Sequence, residues 1–359
     1  MNEINGKILE LFKEDRFSVL ATLIRVSGST PRGVGTKFLV MDDGSILGTI
    51  GGGLLEAQVQ AEAQKVLASF SPRRFRFVLR GVDVAETDML CGGDTEVFLE
   101  PVLPNNLNHL HLFKRIMEIE QRGGKGILAT IINEEQWQGG QIPKMFMEPD
   151  GPAIGSLLGL EEVEAALADR MPELLEGGRP EILRIRDREG ASLELFVEPV
   201  ASDPVLYIFG GGHVSSQIVP LAARVGFKVV VVDDRSDFAD PQRFPDAAQV
   251  LEHPFDDVVE SLPVDESSYL VIVTRGHIHD KNVLAQCLHR SAKYVGMIGS
   301  RRKISIIFDK LIEEGFSRED LDRVHSPIGL QIGAETPEEI AVAIVAQLIQ
   351  VRAGSDRGK

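Results

Sequence analysis

The sequence predicts an α/β protein in two parts: an N-terminal α+β domain with an internal duplication, then a domain built on a parallel sheet. Three observations carry this. Beyond residue 204, short apolar strands at 205–209, 228–232, 249–252, 269–274 and 294–298 alternate with helical patterns at 214–224, 280–289 and 301–314. Such alternation implies right-handed crossovers and a parallel sheet. Before residue 202, three segments recur in the same order. Val19-Leu-Ala-Thr-Leu-Ile24 returns as Ile127-Leu-Ala-Thr-Ile-Ile132, Lys37 to Gly48 returns as Lys144 to Gly155, and Thr95-Glu-Val-Phe-Leu-Glu-Pro-Val102 returns as Leu193-Glu-Leu-Phe-Val-Glu-Pro-Val200. Duplication is the simplest account of three ordered matches. Finally, Ser202-Asp203-Pro204 reads as a linker where one pattern gives way to the other. The expected domains are therefore 1–200, with copies at about 18–102 and 126–200, and 204–355.

The elements follow in order. Ile4, Ile8, Leu11 and Phe12 share one face of an N-terminal helix. Residues 19–26 form a buried strand, and 37–41 with 46–50 form a hairpin turning at Asp43-Gly44. Gly51, Gly52 and Gly53 open a helix to about residue 69, and a strand at 95–102 follows Cys91-Gly92-Gly93. The second copy lacks the triple glycine, so the first is read as functional and the second as scaffold. At the far end, Thr336 as N-cap, Pro337 and Glu339 form a capping box for the last helix. Ile340, Ala341, Ile344, Val345, Leu348 and Val351 recur there at helical spacing.

Composition narrows the classes. A net charge of −16 opposes a phosphodiester backbone and argues against nucleic-acid binding. No apolar run approaches the ~20 residues a spanning helix needs, which argues against a membrane protein. The N-terminus lacks the apolar run and small-residue cleavage site of a signal peptide. Two cysteines in 359 residues are no disulfide framework, so a reducing, cytoplasmic setting is expected.

The sharpest chemistry lies in Leu206-Tyr-Ile-Phe-Gly210-Gly-Gly212-His-Val-Ser215, a strand, then Gly-x-Gly-x-x-small, then a helix. Gly210 permits a tight turn and Gly212 lets a pyrophosphate approach the backbone at the helix N-terminus. Ser215 is small enough for close helix–strand packing. Asp233 and Asp234 end the next strand about 20 residues on, where an acid takes ribose hydroxyls. Together these make the second domain Rossmann-type. His213 within the loop is a candidate ligand contact or a solvent-exposed helix start. His277 and His279, after the fourth strand, are candidate cofactor or metal contacts, although residues two apart on a loop need not converge. Ser300 and Arg301, after the fifth strand, suit an anion at another helix start. In the first domain Gly51, Gly52 and Gly53 form a candidate anion nest, with Arg32 as a nearby charge. Glu56 lies in the first turn, as a site residue or as a cap for backbone donors. Cys287 reads as core packing; Cys91, followed by two glycines that remove bulk and expose backbone, is a candidate functional thiol.

These segments together resemble the XdhC/CoxI family, accessory proteins of xanthine dehydrogenase and related molybdenum hydroxylases. The resemblance rests on Gly28-Ser-Thr-Pro-Arg-Gly33, Gly48-Thr-Ile-Gly-Gly-Gly53 with Leu55-Glu56, Cys91-Gly-Gly93, the loop of Gly210 to Ser215, and Val232-Asp-Asp-Arg235. Gly296-Met-Ile-Gly-Ser-Arg-Arg-Lys303 and Pro327-Ile-Gly-Leu-Gln-Ile-Gly-Ala334 complete it. It implies a chaperone that binds the molybdenum cofactor, as molybdopterin or its dinucleotide form, rather than an enzyme. It implies support of cofactor sulfuration with a cysteine desulfurase, delivery to an apo molybdenum hydroxylase, and, by family habit, a homodimer. By position, Cys91 becomes the candidate thiol for the molybdenum. A flat anionic ligand is expected in a cleft between the domains. One segment departs from the family. Thr274-Arg275-Gly276-His277-Ile278-His279-Asp280 stands where many members have a Thr-His-Asp-His type sequence, which marks a subgroup serving another hydroxylase or cofactor form. Two other readings stand beside it: an NAD(P)-dependent oxidoreductase, supported by the glycine loop and Asp233, and a nucleotide-regulated interaction protein.

Overall fold

The computed structural model describes residues 2–28, 32–78, 93–122, 124–137, 141–186 and 190–354. The chain divides into two compact units, residues 1–202 and 203–359.

The N-terminal unit repeats one layout twice. In the first copy, α1 (Asn2–Lys13) leads into β1 (Ser18–Gly28), β2 (Lys37–Met41) and β3 (Ile46–Gly48). Next come α2 (Gly53–Ser69), β4 (Arg73–Val78) and β5 (Gly93–Val102), forming an antiparallel sheet of order β3-β2-β1-β5-β4. The second copy runs α3 (Leu107–Arg122), β6 (Lys125–Ile131), β7 (Lys144–Met147), β8 (Ile154–Ser156), α4 (Glu161–Gly177), β9 (Glu181–Arg186) and β10 (Ser192–Ala201). Its sheet has the matching order β8-β7-β6-β10-β9. Sequence similarity marks only part of this repeat; each copy also carries a leading helix, a second helix and an edge strand.

Each sheet buries one face under its own helix. Leu55, Val59, Ala63 and Val66 of α2 pack on Val19, Ala21 and Leu23; Val163, Leu167, Met171 and Leu174 of α4 do the same over Ile127, Ala129 and Ile131. A third apolar cluster joins the copies through paired equivalents: Ile24 with Ile132, and Phe98 with Phe196. Charges follow the same symmetry. Lys37 of β2 pairs with Glu198 of β10 at 2.7 Å, and Lys144 of β7 pairs with Glu100 of β5 at 2.6 Å. Both pairs are nearly removed from solvent. Each lysine reaches the other copy's glutamate.

The C-terminal unit is doubly wound. Its strands are β11 (Val205–Phe209), β12 (Lys228–Asp233), β13 (Gln249–Glu252), β14 (Tyr269–Ile272), β15 (Tyr294–Met297) and β16 (Val324–His325). All pair in parallel, in the order β13-β12-β11-β14-β15-β16. The connecting helices are α5 (His213–Arg224), α6 (His277–Leu288), α7 (Arg301–Glu313) and α8 (Arg318–Asp322), and α9 (Pro337–Arg352) closes the unit. Residues of α5 and α9 cover one face of the sheet, and residues of α6 and α7 the other. Burial on both faces explains the near-continuous apolar strands. The order reverses between β11 and β14. Ligands of open α/β sheets bind at such a switch point, outside the carboxyl ends of the strands.

Candidate functional site

At the switch point the chain turns from β11 into α5 through Gly210, Gly211 and Gly212. Gly210 has φ +112°, and a Cβ there would lie 2.5 Å from the carbonyl oxygen of Val273. Only glycine lets the loop lie this close to the end of β14. Gly212 differs: a Cβ there would meet nothing within 4 Å. It is the N-cap of α5, and it offers no side-chain cap. After the adjacent strand β14, Gly276 is the N-cap of α6, likewise without a side-chain cap, and a Cβ there would meet nothing within 4 Å. Two helices thus begin at the carboxyl ends of adjacent strands, where free N–H groups and the helix dipole favour an anion. His213 and His277 are the first residues of these helices, and both are exposed.

The third loop of this edge carries Ser300 and Arg301. Both are exposed, but the Ser300 hydroxyl is committed as N-cap, accepting from the Lys303 N–H at 3.3 Å. Beneath it, fully buried Asp280 accepts from the Thr274 hydroxyl at 2.6 Å and pairs with Lys303, tying the start of α6 to the start of α7. Sequence reasoning does not single out Asp280. The signal was present: an acid in the first turn of a helix, after a threonine at a strand end.

The acidic pair after β12 is engaged within the chain. Asp233 ties the end of β12 to the glycine loop. It is buried, and its carboxylate accepts four hydrogen bonds: from Gly211 N–H at 2.8 Å, Arg235 N–H at 3.1 Å, Arg235 Nε at 2.9 Å and Arg235 Nη2 at 3.0 Å. Four bonds fill its acceptor capacity. Asp234 is also committed, to a two-pronged pair with Arg275, closing at 2.8 Å between Nη2 and Oδ2. The Arg275 hydrogen bond is the main reason the Asp234 carboxyl lies below the usual range. Ser215, in the small position of the loop, is fully buried and donates to the Gly210 carbonyl.

The glycine nest of the N-terminal unit has an occupant of its own. Glu56 Oε1 accepts from the Thr49 hydroxyl at 2.6 Å, Gly52 N–H at 2.8 Å and Ile50 N–H at 3.1 Å. Burial alone would raise this carboxyl, but the Thr49, Gly52 and Ile50 hydrogen bonds outweigh it and hold the group low. Gly52 and Ile50 thus give their amides to a side chain of the same chain, as in the capping role that the sequence offered for Glu56. Arg32 is exposed on the loop before β2. Cys91 lies outside the described residues. A polar groove of about 470 Å³ runs along the seam of the copies, lined by Arg74, Arg76, Glu96, Glu134, Glu135 and Glu194. Among the described residues no three His, Cys, Asp or Glu side chains converge as a metal site, and His279 lies against Phe255.

Family models match both units: "XdhC Rossmann domain" over residues 206–348, and "XdhC and CoxI family" over residues 11–78. The chain belongs to the XdhC and CoxI family. Among curated relatives, a Bacillus subtilis protein described as a probable xanthine dehydrogenase component is 23% identical over 98% of both chains. The molybdenum cofactor insertion chaperone PaoD of Escherichia coli is 22% identical, over 96% of this chain and 86% of PaoD. YqeB of Escherichia coli is 27% identical over 69% of this chain, and the match spans only 48% of YqeB's length. A crystal structure of a Bacillus halodurans protein described as a xanthine dehydrogenase superposes with TM-score 0.76 at 25% identity, covering 98% of this chain and 97% of that one. No described helix is long and apolar enough to cross a membrane.

Proposed function

We propose that this chain is an accessory protein of a molybdenum hydroxylase that binds the molybdenum cofactor and delivers it. One observation carries the reading: two helices with no side-chain cap, α5 and α6, start after the adjacent strands β11 and β14 at the switch point, and a Cβ at Gly212 or Gly276 would meet nothing within 4 Å. The backbone there offers several donors to one anion, and the cofactor carries a phosphate. The relatives' names supply the class of cargo and of recipient. When bound, the cofactor supplies its own molybdenum chemistry; the protein's task is to hold it, shield it and let it go. Gly212 lets the phosphate reach the amides, Asp233 holds the loop through Gly211, and the exposed His213 and His277 flank the place where the phosphate would sit. Sulfuration, with a cysteine desulfurase as donor, belongs to the same proposal, with Cys91 as the candidate thiol. This reading suits a carrier, because a helix-terminus site binds an anion without covalent attachment.

The experiment is reconstitution. Apo-hydroxylase receives either the chain loaded anaerobically with cofactor or the same amount of free cofactor. Faster and more complete recovery of hydroxylase activity from the loaded chain is expected. Equal recovery from both would remove delivery from the account.

A further inference from the structure

The last helix of the C-terminal unit has an outer face left uncovered among the described residues. From Ile340 to Val351, α9 carries no charged residue, in a chain where 26% of residues are charged. Its inner face is accounted for. Ala341, Ile344, Val345, Leu348 and Val351 pack on the sheet, and the Gln347 side chain accepts from the Tyr294 hydroxyl at 2.6 Å and the Gly329 N–H at 2.9 Å. The outer face is apolar as well. Val342 is 50% exposed and Ile349 37%, with half-buried Ala346 between them and exposed Ala353 beyond. At steps of four, three and four residues, these side chains form one stripe along the helix. A surface helix ordinarily turns charged residues outward; one that is apolar on every side is built to be covered.

The charges at the two ends of the stripe point to what covers it. Glu335 and Glu338 are exposed at the N-terminal end, and Glu338 continues the stripe one turn before Val342. At the other end stands Arg352. Its Nη1 donates to the Val225 carbonyl at 2.7 Å, which brings exposed Arg224, the last residue of α5, to the same end. Unlike ends attract and like ends repel, so a second α9 fits antiparallel. With a two-fold axis at Ala346, Glu338 lies about 12 Å from the axis on one side and Arg352 about 9 Å on the other. Each acidic end then meets the other copy's basic end. Val342 of one copy meets Ile349 of the other, and the small Ala346 at the centre lets the helices approach to about 8–10 Å.

We infer that the outer stripe of α9 is an interface between two copies of this chain, packed antiparallel about Ala346. The same patch serves on both copies, so the contact closes at two. It stands apart from the carrier reading: a chain that never meets the cofactor would pair in the same way.

The test is sedimentation velocity of the full chain over about 1–100 µM, joined to cross-linking. The wild-type chain should form dimers that dissociate on dilution. The double variant Val342→Glu/Ile349→Glu replaces exposed side chains, so it should keep the wild-type circular dichroism and melting while its dimer Kd rises at least about tenfold. Mild oxidation should link Ala346→Cys into dimers, beyond any formed by the wild-type chain with its Cys91 and Cys287. Val342→Cys should not cross-link, because its two copies lie about 12 Å apart along the helices, out of disulfide reach. A wild-type chain that stays monomeric throughout overturns the inference and leaves the stripe to another protein. Dimers untouched by the two glutamates place the interface elsewhere and overturn it as well. Equal cross-linking at positions 342 and 346 contradicts the antiparallel packing.

Discussion

Glu56 and Asp233 are both carboxylates that satisfy backbone amides of glycine-rich turns. The physical reason is common to both. A turn that points several N–H groups inward needs an acceptor, and an internal carboxylate is always at hand. Glu56→Ala should therefore cost stability, by about 1–3 kcal/mol, since it strips acceptors from partly buried donors. Denaturant titration of the whole chain measures this. His109 is a different case. It is buried on α3, and neither ring nitrogen has a hydrogen-bond partner among the described residues. Burial, opposed by Glu100 and aided by Lys144, pushes its pKa down to about 4. An unfolded histidine takes a proton near 6.5, so the native state is the poorer proton acceptor. Stability from this group is thus full above about 6.5 and declines as pH falls toward 4. His109→Leu should remove that part of the decline, with no loss at pH 7; a wild-type-like pH profile in the variant would contradict it.

Among elements, the two copies of the N-terminal unit are joined as the halves of a symmetric dimer would be. Equivalent apolar residues meet, and each copy's lysine meets the other's glutamate. Glu100 remains ionised although burial works against it, because Lys144, with Lys37 and His109, holds its carboxyl low. Lys144→Met strands a buried charge and should destabilise the chain by about 3–5 kcal/mol, whereas Lys144→Met with Glu100→Met should regain most of that loss. Chemical denaturation of both variants decides it; equal destabilisation of the two would show that the pair, rather than the orphaned charge, carries the energy. These pairings were not legible in the sequence. Nothing in the local sequence around Lys37 or Glu100 says which copy a long side chain will reach. The duplication itself was legible, since the Leu-Ala-Thr and Glu-Pro-Val cores of the strands must keep their packing in both copies. The edge strands β4 and β9 were not, because exposed positions are free to diverge.

At the scale of the molecule, the fold was readable where the backbone demands special residues. Gly210 and Gly212 between a strand and a helix predicted the Rossmann loop, and the loop sits at the reversal of strand order. What an acid at the end of β12 faces could not be read, because Asp233 has the same local sequence whether it meets a ribose or the amide of Gly211. In this structure it meets the amide of Gly211. The proposed carrier role places the phosphate at the uncapped start of α5, so the most direct measurement is cofactor retention by the wild-type chain and by Gly212→Ala. The substitution meets no neighbour and keeps a φ of −79°, so the variant should fold and melt like the wild type. Incubated anaerobically with the molybdenum cofactor and passed through a size-exclusion column, the wild-type chain should carry cofactor in its own peak and the variant should carry far less. Equal cofactor in both peaks, or none with the wild type, would contradict the account.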